Sequence, residues 1–307
     1  MTISLYIPLT KKAPKHHLLM KKNNSSALEP TNRSLQVRRF RLSFLYAVPI
    51  GVLGGLIGLG GAEFRLPVLA GTLGYSIRQA VPLNLAVSLI TIAASLAIRG
   101  STLSLGQMIP LLPAIFSLIA GAVITAFFGA AIAGRLSNEQ LERIILVLLV
   151  VIGIALIVEG FLPQQIPAFL PPGLSWRIPA GILFGLAIGL VSSLLGVAGG
   201  EAIIPTLVFA FGADIKTAGT ASLLVSLPTV LVGVMKYASR GAFVDRTALG
   251  NTIAPMGVGS VIGAIIGGML VGIVPAAVLK VTLGVILNIS AFRVFHKANF
   301  SNEKPES

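Results

Sequence analysis

A glycine-broken hydrophobic segment occurs twice in this chain, and that repetition constrains the fold more than any other feature. Residues 51–67 read GVLGGLIGLGGAEFRLP and residues 189–205 read GLVSSLLGVAGGEAIIP. A shift of 138 positions places Gly51, Leu56, Gly58, Gly61, Glu63 and Pro67 on Gly189, Leu194, Gly196, Gly199, Glu201 and Pro205. The same shift, without a gap, carries Gly74, Ile77, Ala80, Leu85, Val87, Ser88, Leu89 and Thr91 onto Gly212, Ile215, Ala218, Leu223, Val225, Ser226, Leu227 and Thr229. Interrupted apolar segments at corresponding positions of two halves point to a secondary transporter with its site at the repeat interface.

The medium follows from composition. Mean hydropathy is +0.92 and only 11% of residues are charged, against about 25% in soluble domains. A charge at the bilayer centre costs at least ~2.5 kcal/mol, so this deficit marks a polytopic membrane protein. The net charge of +13 does not indicate nucleic acid, because nine of the 23 Lys and Arg precede residue 42 and only Glu29 opposes them there. A basic tail beside the first hydrophobic span is the positive-inside signal and places the N-terminus in the cytoplasm of a cell (inner) membrane. It can also touch anionic lipid. No basic n-region or cleavage site marks residues 1–10 as a secretory signal. The absence of cysteine excludes disulfides, thiolate catalysis and zinc–thiolate sites.

Spans of about 20 apolar residues fall at roughly 43–61, 80–98, 108–133, 144–162, 179–197, 218–236, 249–272 and 277–295. The predicted fold is therefore all-α, with about eight transmembrane helices in two homologous halves. The organisation reads as a basic, disordered cytoplasmic tail (1–42), a first membrane repeat (43–162), a Pro-rich linker (163–178), a second repeat (179–296) and a cytoplasmic C-terminal tail (297–307). Two apolar pieces, 64–73 and 202–211, follow the glycine breaks and are too short to cross as ordinary helices. They read as broken or re-entrant helices lining a cavity, since irregular backbone is not tolerated against lipid. If they do not cross, each half has four passes and the repeats are parallel. If they cross, each has five and the repeats are inverted. Loop charges do not separate the two arrangements, and both put the two termini inside.

At GLGGAEFRLP (58–67) and GVAGGEAIIP (196–205) the chain resembles the sulfite exporter TauE/SafE family of membrane permeases. The stretches RQAVPLNLAVSL (78–89) and KTAGTASLLVSL (216–227) are similar in kind to that family's second and sixth spans. The resemblance covers about residues 43–296. It departs at Ala62 and Ala198, where the family commonly has glycine. It implies gradient-driven or proton-linked movement of sulfite, related sulfur oxyanions or organosulfonates, often outward.

The residues themselves offer several chemistries. Gly58, Gly60, Gly61, Gly196, Gly199 and Gly200 remove side chains where a helix is interrupted, and a helix restarting there points amides at a ligand. The alternative is tight packing between helices. GLGGAE does not complete a dinucleotide loop. Glu63 and Glu201 are matched intramembrane carboxyl groups, candidates either to carry a proton or to cap the short helices. Arg65, whose counterpart is Ile203, would bind an anion, pair with a carboxylate or snorkel. Asn84, Ser88 and Thr91 match Ser222, Ser226 and Thr229, at i, i+4 and i+7 on one helical face. They suit a desolvated oxyanion or hydrogen bonds between helices. Arg99 and Lys236 read as interface anchors. No metal site, cofactor motif or enzymatic constellation is present in the sequence. The expectation is an alternating-access carrier of small anions, not an enzyme, with protons as its coupling partner. A channel or a non-transporting membrane scaffold or sensor are the other readings.

Overall fold

The computed structural model describes residues 25–102, 105–133, 137–161, 168–275 and part of 277–289. The first 24 residues of the basic tail, most of the expected last span, the C-terminal tail and the Glu159 side chain lie outside the described residues.

Among the described residues all regular structure is helical. Helix α1 (Ser25–Ile57) begins 18 residues before its expected span, so the end of the basic tail is continuous with the first membrane helix. Then come α2 (Ala62–Pro67), α3 (Ile77–Thr102), α4 (Leu112–Ala133), α5 (Asn138–Phe161), α6 (Leu174–Leu195), α7 (Gly200–Pro205), α8 (Ile215–Ser239), α9 (Arg246–Ala248) and α10 (Ala254–Leu270). Among the described residues six stretches are long and apolar enough to cross a membrane: 34–57, 77–100, 108–128, 174–193, 215–239 and 246–270. They coincide with six of the expected spans, and α5 covers 144–161 of the expected span 144–162.

The two leftover apolar pieces have the same build. Each is six helical residues ending in proline, followed by a five-residue π turn, Val68–Thr72 after Pro67 and Thr206–Ala210 after Pro205. Proline withholds an amide and crowds the preceding turn. The ladder widens directly after it, as π turns do. A third π turn, Leu249–Ile253, joins α9 to α10 just ahead of Pro255.

Close glycine contacts give the chain directions. Gly51 meets Ser260, Gly55 meets Ala264 and Gly267 meets Val52 and Leu56, so α1 and α10 run parallel. Gly181 meets Ser117, Gly185 meets Leu118 and Gly189 meets Ala122, so α4 and α6 run parallel. Gly219 meets the Arg99 guanidinium and Gly233 meets Leu85, so α8 runs against α3. Gly153 meets Asn288 while Gly160 meets Val281, so α5 runs against the segment that contains both. The short helices double back. Gly61 packs on Ile50, and by Tyr75 the chain is again beside Arg39, whose guanidinium lies 5.5 Å from the Tyr75 ring centre. Likewise Gly199 packs on Ile188, and Phe169 and Leu170, just ahead of α6, donate to the carbonyls of Phe209 and Ala210.

The burial pattern suits lipid as solvent. Phe116, Leu183 and Met269 are each at least 65% exposed, while Glu63, Arg65, Asn84, Arg99 and Glu201 are at most 2% exposed. Large apolar groups stay exposed while charged and polar groups are buried beside an apolar core, the pattern of a protein whose surface faces lipid.

Candidate functional site

The two glycine breaks meet at the centre of the bundle. A Cβ on Gly60 would lie 3.4 Å from Ala198 Cβ, and one on Gly200 would lie 3.0 Å from Leu59 Cα. The backbone is left-handed at Gly58 (φ 93°) and Gly196 (φ 63°), a conformation open to glycine but costly for other residues. A Cβ at Gly58 would stand 2.2 Å from Gly219 O, and one at Gly196 2.6 Å from Val81 O. Ala62 and Ala198 do not have positive φ, so both alanines fit without backbone strain.

Side chains from the neighbouring helices hold each break. Asn84 Nδ2 on α3 donates to Ala62 O (2.8 Å) and Gly196 O (2.7 Å). On α8, Ser222 Oγ donates to Gly58 O. The last turns before the breaks are also held. Arg99 donates to Gly55 O (3.2 Å), Leu56 O (3.4 Å), Lys216 O (3.0 Å) and Thr220 Oγ1 (3.1 Å). Tyr237, 138 positions later, donates to Ser193 O (3.2 Å). Arg99 is therefore no interface anchor: it is 1% exposed and satisfies the open carbonyls at the end of α1. Lys236 caps nothing of the kind, and its ammonium lies 3.9 Å from the Phe127 ring centre.

Arg65, fully buried on α2, is the centre of the polar cluster. Its Nε donates to Asn84 Oδ1 (3.3 Å). One terminal nitrogen donates to Thr91 Oγ1 (2.8 Å) and Ser260 Oγ (3.1 Å). The other donates to Ser88 Oγ (3.1 Å) and to Gly60 O. All five acceptors are neutral, so the hydrogen bonds are satisfied while the charge is not compensated by any of them. Ser88 and Thr91 turn their own protons to the carbonyls of Asn84 and Val87, one turn back, which leaves their oxygens to the guanidinium.

Glu63 is 1% exposed and neither carboxyl oxygen has a hydrogen-bond partner among the described residues. Glu201 is 2% exposed and its Oε1 has none. Neither short helix has a side-chain cap, the N-cap positions being Gly61 and Gly199. Residues two apart on a helix do not face each other, and Glu63 does not bond Arg65.

The second polar triplet is arranged differently. Thr229 donates to Val225 O (2.8 Å), while Ser226 Oγ is buried without a partner. With Ile203 where the first segment has Arg65, no guanidinium reaches Ser226. Sequence reasoning missed Ser260, which lies in the glycine-rich α10. The available signal was a lone hydroxyl in an otherwise apolar run, VGSVIGAIIGG. Among the described residues no cluster of His, Asp and Glu could hold a metal.

Helices long and apolar enough to span a bilayer, packed around a buried cationic centre, mark a multi-pass membrane protein. The family model for Sulfite exporter TauE/SafE matches residues 3–156 and 180–307, nearly the whole chain, and the chain belongs to that family. It is a family of membrane transporters for sulfite and related sulfur anions. No curated protein and no solved structure matches the chain.

Proposed function

We propose that this protein is a secondary carrier of a small sulfur oxyanion or organosulfonate, with Arg65 as the charge that selects the anion. The observation that carries this reading is the Arg65 cage. A fully buried guanidinium held by five neutral oxygens leaves a net positive centre where a desolvated anion gains most. An oxyanion takes the place of weaker hydroxyl acceptors at the guanidinium, while Ser88 and Thr91 keep their own protons on Asn84 O and Val87 O.

The chain directions support five passes per half, with the short helices as the second pass and the halves inverted. Helix α1 and helix α6 then run oppositely, as do α3 and α8, and α4 and α10. This arrangement puts Arg78, Arg135, Arg143, Lys236, Arg240 and Arg246 on the same side as the basic N-terminal tail. That side is the cytoplasm of the cell membrane. Alternating access follows from the inversion: opening one break while the other stays closed exposes Arg65 to one face and then the other. Burying an unpaired charge is costly, so Glu63 and Glu201, one at each break, are natural seats for a proton that travels with the conformational change.

The test is counterflow of sulfite, thiosulfate, sulfoacetate and sulfate in proteoliposomes. Saturable uptake that falls at least about tenfold in Arg65→Gln, one 1.4 kcal/mol step, and partly recovers in Arg65→Lys supports the reading. Flux that does not saturate would mark a channel. A folded Arg65→Gln protein with full flux removes Arg65 from the substrate path, and no flux of any anion favours a non-transporting scaffold or sensor.

A further inference from the structure

A second polar cavity lies away from the Arg65 cage, at the end of the bundle where α1 begins. Its volume is about 330 Å³, and its wall includes Arg38, Arg39, Thr72, Tyr75, Asp245 and Asn251. The guanidiniums of Arg38 and Arg39 come from α1, Thr72 from the π turn after α2, and Asn251 from the π turn before α10. Three elements, α1 and the two π turns, thus share one opening.

The charge balance there favours an anion. Two arginines face one carboxylate, and Asp245 is already engaged as the cap of α9, accepting from the amides of Thr247 (2.9 Å) and Ala248 (3.4 Å). Hydrogen bonding from Thr247, with help from the Arg39 charge, holds the Asp245 carboxyl below the usual carboxylate range. It stays ionised and committed to α9 at neutral pH. Arg39 lies over the Tyr75 ring, an arrangement that leaves guanidinium edges for a ligand.

One wall residue of the cavity, Tyr75, reaches the buried interior. Tyr75 hydroxyl and Thr252 Oγ1 are 2.7 Å apart, and Thr252 is fully buried. Ser260, a partner of Arg65, follows in α10, the helix that continues from the π turn of Thr252, about two helical turns on.

We propose that this cavity is a separate binding site for a small oxyanion, ahead of a Tyr75–Thr252 partition that divides it from Arg65. Its role as a vestibule for the transported anion rests on the carrier reading above, whereas the binding itself does not. The same guanidinium chemistry would accept the phosphate of an anionic lipid headgroup, and the experiment separates the two sources.

The chain has no cysteine, so Thr72→Cys creates a single reporter in the cavity wall. The full chain in phosphatidylcholine nanodiscs is treated with a sulfonate-bearing methanethiosulfonate and, separately, with its trimethylammonium analogue. The anionic reagent should react about tenfold faster, as a focused positive potential requires. Sulfate, compared with chloride at equal ionic strength to match screening, should slow the modification about threefold, as expected near twice its dissociation constant. Adding Arg38→Gln and Arg39→Gln should abolish both effects, and Arg38→Lys with Arg39→Lys should keep them. No sulfate protection, or protection that survives the glutamine pair, overturns the proposal. If phosphatidylglycerol blocks the cysteine and sulfate then changes nothing, the cavity holds a lipid headgroup and the vestibule role falls. Arg65→Gln should leave sulfate protection intact, so failure of the central site appears only in flux and failure of this one only in protection.

Discussion

Asn84 and Ser222 occupy equivalent places on α3 and α8, and each holds the glycine break that belongs to the opposite repeat. Asn84 donates to Gly196 O, Ser222 donates to Gly58 O, and 138 positions separate both the two donors and the two acceptors. A buried carbonyl stripped of its donor costs about 1–3 kcal/mol. Asn84→Ala should therefore destabilise the protein more than Ser222→Ala. It strips the carbonyls of both Ala62 and Gly196 and one acceptor from Arg65. Thermal unfolding followed by size-exclusion chromatography in detergent would rank the two variants.

Ser88 and Ser226 make a second matched pair with opposite expectations. Ser88 accepts from Arg65 at 3.1 Å, whereas Ser226 Oγ is buried and unpartnered. Hydrogen bonds to a charged group contribute roughly 1.5–3 kcal/mol, so Ser88→Ala should lower the midpoint of unfolding clearly. Ser226→Ala should leave it unchanged or raise it, because it removes a hydroxyl with nothing to bond. Equal losses in the two variants would mean that the Arg65 cage does not distinguish the repeats.

These contrasts mark what a sequence of this kind reveals. The breaks, six of the eight expected spans and the shared face of Asn84, Ser88 and Thr91 were legible because glycine spacing and a helical i, i+4, i+7 pattern are local properties, whereas the seating of Arg65 on that face is a tertiary contact. The role of Arg99 was not. At the end of a hydrophobic run an arginine looks like an interface anchor, and only the packing of α3 against the end of α1 and the start of α8 makes it a buried cap. Ser260 was hidden for the same reason: its 195-residue separation from Arg65 is closed by tertiary packing alone. Loop charges left the chain directions open, since so few charges lie between spans, but glycine contacts between helices define them.

Glycine at the breaks should resist replacement far more than glycine a few residues on. At Gly58 and Gly196 the φ is positive and a Cβ would collide with backbone oxygen, whereas a Cβ at Gly71 meets nothing within 4 Å. Strained φ alone costs about 1–3 kcal/mol, before the collision is counted. Gly58→Ala and Gly196→Ala should sharply reduce the yield of monodisperse protein, and Gly71→Ala should match the unaltered chain.

The two latches ahead of the breaks differ in strength. Arg99 makes at least four hydrogen bonds, where Tyr237 gives one to Ser193 O in the equivalent place. A single neutral bond contributes about 0.5–1.5 kcal/mol. Tyr237→Phe should thus cost little stability, while Arg99→Ala should cost several times as much. If the Ser193 end opens more readily, hydrogen exchange at 192–199 should exceed that at 54–61, and Tyr237→Phe should widen the difference. Equal exchange at both breaks would show that the latches do not set which one opens.

The paired glutamates give the sharpest prediction about energy coupling. Glu63 follows one break and Glu201 the other, both almost fully buried, and on the carrier reading proposed above each is the seat of a coupled proton. In proteoliposomes an imposed pH gradient should change sulfite flux in the unaltered protein. Uptake is faster with an acidic exterior if proton and anion move together, and faster with an alkaline exterior if they exchange. Glu63→Gln with Glu201→Gln removes both titrating groups and keeps their size. Counterflow without a gradient should persist in this variant, because Arg65 and its five acceptors are untouched, while the gradient response of either sign should vanish. A variant that still follows the gradient would assign the proton elsewhere and leave the two carboxyl groups a packing role. Loss of counterflow together with the gradient response would place the glutamates in the anion path itself.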